Sequence, residues 1–125
     1  MRNHLFSVVI PCRDYGQYLD DAVESALQQE GFAHSIEIIV INDHSSDSNT
    51  LQRLDHWDTA DPRVRVVHNP GPVGAASARN FGIAEAIGEW IAFLDADDIW
   101  LPHALRVRWR AVQSFPEAQW IGADF

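Results

Sequence analysis

Three carboxylates stand within four residues at Asp95-Ala96-Asp97-Asp98, directly after the apolar run Trp90-Ile91-Ala92-Phe93-Leu94. Such a run predicts a buried strand, and acidic groups concentrated where it ends call for a positive partner. Side chains alternate along a strand. If extended backbone persists through Asp97, Asp95 and Asp97 share one side and Asp98 starts on the other. Two carboxylates on one side suit a hard divalent cation, Mg²⁺ or Mn²⁺, which keeps coordination positions open for water or substrate phosphates. A diphosphate is the natural third party. The plainer alternative is an acidic turn, with Asp98 capping a helix that begins near Pro102.

Two further residues have types and positions that suit an anionic ligand. Asp43 follows the apolar run Ile36-Glu37-Ile38-Ile39-Val40-Ile41. An acidic residue at such a strand end commonly accepts hydrogen bonds from ribose hydroxyls or a base N–H, although it can also cap the next helix, a task open to Ser45. Arg79 lies about one turn into a helix opened by Gly74, where it can reach a phosphate beside the helix N-terminus or pair with one of the many carboxylates. Asn80 is odd in an apolar helix and is expected as a polar core residue fixing the neighbouring loop. Cys12 reads as a small buried filler, because no partner histidine is in evidence. Tyr15 and Tyr18 are divided between stacking on a base and packing in the core. His44 and His103 read as helix-end or solvent residues, since the six histidines lack metal-ligand spacing.

The elements that must position these groups follow from hydrophobic pattern. Phe6-Ser7-Val8-Val9-Ile10, stopped by Pro11, is one strand, and the run before Asn42-Asp43 is a second. Between them Leu19, Ala22, Val23, Ala26 and Leu27 recur at helical spacing, with Gly31 as a stop signal, which makes a βαβ unit. A second helix is predicted from near Ser45-Ser46-Asp47, with Leu51, Leu54 and Trp57 three apart and Asp61-Pro62 ending it. Val64-Arg65-Val66-Val67 is a third strand, followed by the turn-rich loop His68-Asn69-Pro70-Gly71-Pro72-Val73-Gly74. A small-residue helix is expected from about Ala75 to Ala86, ended by Gly88. Trp90 to Leu94 is the fourth strand, and a last helix carries Pro102 in its first turn with Leu105, Trp109 and Val112 on one face. Gln119 to Phe125 resembles a further strand. Alternating strands and helices imply a mostly parallel sheet covered on both faces, with ligands bound outside the carboxyl ends of its strands.

Composition bounds the function. The 125 residues fit one domain, 46% hydrophobic content supports a core, and a formal charge of -9 argues against nucleic acid or an anionic membrane as main partner. One cysteine excludes an intrachain disulfide and a four-cysteine zinc site. No run approaches the ~20 apolar residues of a membrane span, and no signal-peptide pattern opens the chain, so it reads as cytoplasmic. A dinucleotide fingerprint, a P-loop and a serine-hydrolase elbow are all missing from the sequence.

Four ordered stretches carry a family resemblance. Ser7-Val8-Val9-Ile10-Pro11, then Ile39-Val40-Ile41-Asn42-Asp43-His44-Ser45-Ser46-Asp47, then Gly74-Ala75-Ala76-Ser77-Ala78-Arg79-Asn80-Phe81-Gly82-Ile83, then Phe93-Leu94-Asp95-Ala96-Asp97-Asp98 resemble the family 2 glycosyltransferases of GT-A fold. The resemblance implies a Rossmann-like three-layer α/β/α sandwich that binds a nucleotide-diphosphate sugar. It sets Pro11 and Asp43 near base and ribose, Arg79 by the nucleotide, and Asp95 and Asp97 as the Asp-x-Asp element contacting ribose-diphosphate and a divalent metal. Arg13-Asp14 departs from the family, which often has an aromatic or small residue and then Asn; Arg13 stays in the donor-site set on its place in that loop. The family reaction is metal-dependent sugar transfer to an acceptor hydroxyl of a saccharide, lipid or protein, usually with inversion. Its carboxylate base lies downstream of these motifs. Residues 1–125 are therefore expected to be a donor-binding domain truncated at its C-terminal end, with membrane association left open for a longer protein. A nucleotidyltransferase, which would need a glycine-rich basic loop after the first strand, and a non-catalytic nucleotide-sensing domain stay open as rivals.

Overall fold

A computed structural model describes residues 4–119. Strands β1 (His4–Cys12), β2 (Ile36–Asn42), β3 (Val64–His68) and β4 (Gly88–Phe93) form one parallel sheet in the order β3-β2-β1-β4. Helices α1 (Gly16–Leu27), α2 (Ser48–Ala60) and α3 (Ala75–Glu85) make the crossovers, and α4 (Ala104–Ser114) follows β4. The strand expected from Gln119 to Phe125 falls almost wholly outside the described residues.

Strand order explains the layers. Crossovers between parallel strands are right-handed, so helices that step in opposite directions across a sheet land on opposite faces. The steps β1 to β2 and β2 to β3 run one way and place α1 and α2 together. The return from β3 to β4 reverses direction and places α3 on the other side. One face buries Phe6, Val8, Ile10, Ile38 and Val40 against Leu19, Val23, Leu54 and Trp57, and Leu105 of α4 joins that cluster. The opposite face buries Val9, Ile39 and Ile41 against Ala78. The alternation along β1 and β2 is the period of two that puts successive side chains on opposite faces. Each fully buried Val or Ile there stabilises the fold by ~1.5–3 kcal/mol. Gly82 lets α3 close on this second face, because a Cβ would sit 2.5 Å from a methyl of Val9.

Several local expectations are corrected. The cap of α2 is Asp47, whose carboxylate accepts from Thr50 N at 3.0 Å, whereas the Ser45 hydroxyl is held by Asp14 N. Its buried positions are Thr50, Leu54 and Trp57, and Leu51 is exposed, because the helix turns a four-then-three spacing toward α1. Gly88 does not end α3. It begins β4, where a Cβ would lie 2.6 Å from the Ser7 backbone nitrogen, and its own N–H donates to Ser7 Oγ at 2.7 Å. At α4 the cap position is His103, so Asp98 caps nothing there. Among the described residues no helix is long and apolar enough to cross a membrane.

Candidate functional site

The carboxyl ends of the strands open on a cavity of about 570 Å³ lined by residues from four loops. Pro11, Cys12, Arg13, Asp14 and Tyr15 come from the end of β1, Asp43 from β2, Gly74, Ala75 and Arg79 from the start of α3, and Asp95, Ala96 and Asp97 from the end of β4. The cavity lies where the strand order reverses, between β1 and β4, which is where open α/β sheets bind ligands. Pro11, Arg13, Asp43, Arg79, Asp95 and Asp97, the whole set picked from sequence, meet there. Four carboxylates and two guanidinium groups line it. An anionic ligand entering such a site needs added positive charge.

The aspartate cluster is built differently from the extended arrangement expected. Leu94 N still donates to Val9 O at 3.0 Å, but the chain then turns and Asp98 N donates to Asp95 O at 3.0 Å. This turn, with Ala96 buried beneath it, brings one carboxylate oxygen each from Asp95, Asp97 and Asp98 within 4.8 Å of one another. Asp98 thus joins the other two instead of facing away. All three carboxylates are exposed, and oxygen donors so gathered fit a hard divalent cation. Arg79 Nη2 reaches Asp95 Oδ1 at 3.2 Å, so the ion pair weighed against a phosphate role is present. Both partners are well exposed, which keeps such a pair weak enough for a ligand to exchange.

Asp43 is buried and bridges two elements. Its Oδ1 accepts from Asn69 Nδ2 at 3.1 Å and its Oδ2 from Gly74 N at 3.0 Å. The positive end of α3 favours a carboxylate at that place. Gly74 has φ 145°, a backbone that disfavours any side chain and delivers its N–H to Asp43. Asn69 was not singled out by sequence, whereas Asn80, expected as a buried residue, is exposed on α3. The signal for Asn69 was its place at the head of Asn-Pro-Gly-Pro. There its Oδ1 accepts from Gly71 N at 3.0 Å in a side-chain-built turn.

Asp14 was likewise missed as a structural element. Its φ of 58° is one that Asp tolerates better than most residues, and its Oδ1 accepts from Ser46 N at 2.8 Å and Asp47 N at 2.9 Å. The N–H groups of Asp47 and Ser46 hold its carboxyl below the usual carboxylate range. The departure Arg13-Asp14 therefore ties the β1 loop to the β2 loop and leaves Arg13 exposed on the cavity wall. Burial pushes the Cys12 thiol up, as expected for a filler. Tyr15 and Tyr18 are both 45% exposed and meet edge to face at 5.9 Å, so neither packs in the core. His44 Nε2 lies 2.8 Å from Gly71 O, and His103 Nε2 is 3.9 Å from Glu30.

Comparison with known proteins follows the same lines. Residues 7–122 match the Glycosyl transferase family 2 domain. Glycosyltransferase GlyG of Streptococcus pneumoniae serotype 4 is 40% identical over 111 residues, covering 89% of this chain and 36% of that protein. The Escherichia coli protein WfgD is named a UDP-Glc:alpha-D-GlcNAc-diphosphoundecaprenol beta-1,3-glucosyltransferase. It is 33% identical over 108 residues, covering 86% of this chain and 41% of its own length. The chain thus spans between about a third and two-fifths of these relatives. Among solved structures, Staphylococcus aureus TarS in complex with UDP-GlcNAc superposes with a TM-score of 0.77 at 21% identity, over 97% of this chain and 37% of that one. The mannosyltransferase PcManGT of Pyrobaculum calidifontis, in complex with GDP-Man and Mn²⁺, has a TM-score of 0.67 at 22% identity, over 78% of this chain and 29% of that one. At such identities the likeness is one of fold, and the fold is GT-A.

Proposed function

The chain belongs to glycosyl transferase family 2, and from that premise we propose that residues 1–125 form the donor-binding part of a glycosyltransferase that takes its sugar from a nucleotide-diphosphate sugar. The observation that carries this is the meeting of Pro11, Arg13, Asp43, Arg79, Asp95 and Asp97 on one cavity at the reversal of strand order. Pro11 and Asp43 would face base and ribose, with Asp43 accepting hydrogen bonds from N–H or hydroxyl donors. Arg13 and Arg79 supply the cationic wall for phosphates, and Arg79 exchanges its Asp95 partner for a phosphate oxygen.

Asp95, Asp97 and Asp98 have the donor chemistry to hold Mg²⁺ or Mn²⁺, which when bound would neutralise charge on a departing nucleoside diphosphate. Transfer with inversion places the acceptor hydroxyl on the face of the sugar opposite the leaving group, and a base must take its proton. That base is assigned to the part of the relatives' length this chain does not span. The acceptor, whether saccharide, lipid or protein, would be gripped there too. Support for the donor class comes from the UDP-GlcNAc and GDP-Man complexes of structures sharing the fold, and for the ion from the Mn²⁺ in one of them.

Calorimetry with UDP and GDP, each with Mn²⁺ and after chelation, tests the proposal. Binding of at least one that weakens on chelation is the expected result. No binding of any nucleoside diphosphate or nucleotide sugar with metal present would overturn it.

A further inference from the structure

Behind the cavity wall, Asn69 is 5% exposed and does not line the cavity, yet it touches every element that shapes one side of it. Its Nδ2 lies 3.1 Å from Asp43 Oδ1, 3.0 Å from Pro72 O and 3.2 Å from Ser77 Oγ. Its Oδ1 accepts from Gly71 N at 3.0 Å, and its own backbone N–H donates to Asn42 O at 3.0 Å. One amide therefore joins the end of β2, the loop into α3 and the first turn of α3.

We propose that Asn69 is a positioning residue for donor binding: it holds the buried Asp43 carboxylate, and through it the Gly74 N–H, in the orientation that a ribose or base would meet. The proposal rests on the donor-site reading above. A carboxylate oxygen offers about two acceptor directions. With Oδ1 engaged by Asn69 and Oδ2 by Gly74, one direction on each oxygen is spent inside the protein and the other is left for a ligand. Two N–H groups facing three acceptors also leave the Asn69 amide nothing to extend into the cavity, and of its side-chain partners Asp43 is the one that lines the cavity, so its effect on a ligand is carried chiefly by Asp43. An apolar residue here would take from Asp43 Oδ1 and from the Gly71 N–H the partners they have, leaving Asp43 held by Gly74 N alone, and an acidic one would set two carboxylates about 3 Å apart, where they repel.

The test is a double-mutant cycle in the protein, read as the dissociation constant for UDP with saturating Mn²⁺, and separately for Mn²⁺ alone. Asn69→Ala is expected to weaken nucleotide binding about tenfold and Asp43→Asn at least as much, with the double variant no weaker than Asp43→Asn within about twofold, because Asp43 is the side-chain partner of Asn69 that lines the cavity. Mn²⁺ affinity without nucleotide stays within twofold, since Asp95 and Asp97 are untouched. Unchanged nucleotide affinity in Asn69→Ala, losses that multiply in the double variant, or an equal fall in Mn²⁺ affinity would each overturn the proposal. Should Asn69→Ala fail to fold by circular dichroism, Asn69→Ser, which keeps a short donor, carries the same cycle under the same criteria. A parent protein that binds neither UDP nor GDP overturns the donor-site reading and this proposal with it; one that binds while the cycle is additive overturns this proposal alone.

Discussion

The two ends of the sheet both carry buried carboxylates, and they are arranged to opposite purposes. At the amino end, Glu37 on β2 accepts from the Ser7 hydroxyl and from Ile87 N at 2.7 Å, while Arg65 stands 3.5 Å away. Ser7 in turn accepts from Gly88 N, so all four strands and the α3–β4 connection close on one another. The buried Ser7 hydroxyl and Glu37 carboxylate are both met there by protein groups. At the carboxyl end Asp43 is as well buried, but the carboxylates beside it are exposed, and the ion pair they make is with an exposed arginine. Polar groups satisfied internally rigidify a fold, whereas groups left facing a cavity are available to a ligand. The contrast sets a structural amino end against a carboxyl end whose exposed groups make it the candidate site.

The sharpest way to break that contrast is at the aspartate cluster. Replacing Asp97 with Ala is expected to lower metal-dependent nucleotide affinity by ~100-fold, because losing a ligand should cost at least what losing a ligand's supporting residue does. Its melting temperature should stay within a couple of degrees of the parent; calorimetry and thermal unfolding together check this, and unchanged metal dependence would contradict the assignment. Glu37→Ala should do the reverse. It strands the Ser7 hydroxyl and Ile87 N–H and leaves Arg65 without its buried partner, at a cost of on the order of 2–3 kcal/mol, while nucleotide affinity of the folded fraction holds. Denaturant unfolding paired with calorimetry separates the two outcomes.

The glycines give a finer comparison. Gly88→Ala forces a Cβ against the Ser7 backbone and should cost roughly 1–3 kcal/mol by overpacking. Gly74→Ala meets nothing within 4 Å, so its cost of about 1 kcal/mol comes from the positive φ alone. Gly74→Ala should also weaken nucleotide binding, since its N–H holds Asp43, and Gly88→Ala should not. The smallest effect belongs to Asp14. Its carboxyl is held low in the folded state, so its contribution is complete above the ordinary carboxylate range and is lost as pH falls through its folded value. Amide resonances of Ser46 and Asp47 should shift in that acidic window, and Asp14→Asn, which keeps an acceptor oxygen, should abolish the titration without releasing the loop.

Much of the fold was legible because its signals are local. The apolar runs that became β1 and β2 are buried throughout, and a parallel strand covered on both faces leaves that trace in any sequence. The meeting of the candidate residues on one cavity was legible for a related reason: polar residues directly after such runs must sit at the carboxyl edge. Errors arose where a residue's partner is distant in sequence. Gly88 looked like a helix stop because nothing near it announces Ser7, which is 81 positions away. Asn80 looked like the buried amide because its neighbours are apolar, whereas Asn69 is buried by virtue of Asp43 and Ser77.

The order of strands and helices, the parallel sheet, the polar edge and the acidic cluster followed from the sequence alone, because periodicity reports which residues are buried and in what backbone. Tertiary structure decided that β4 lies beside β1, which reverses the strand order and brings the Asp95 turn against the Pro11–Tyr15 loop. It also decided that the chain turns at Asp95, gathering three carboxylates where an extended strand would have separated them. Pairing between strands depends on contacts far apart along the chain, and no local pattern encodes which edge of β1 a returning strand will take.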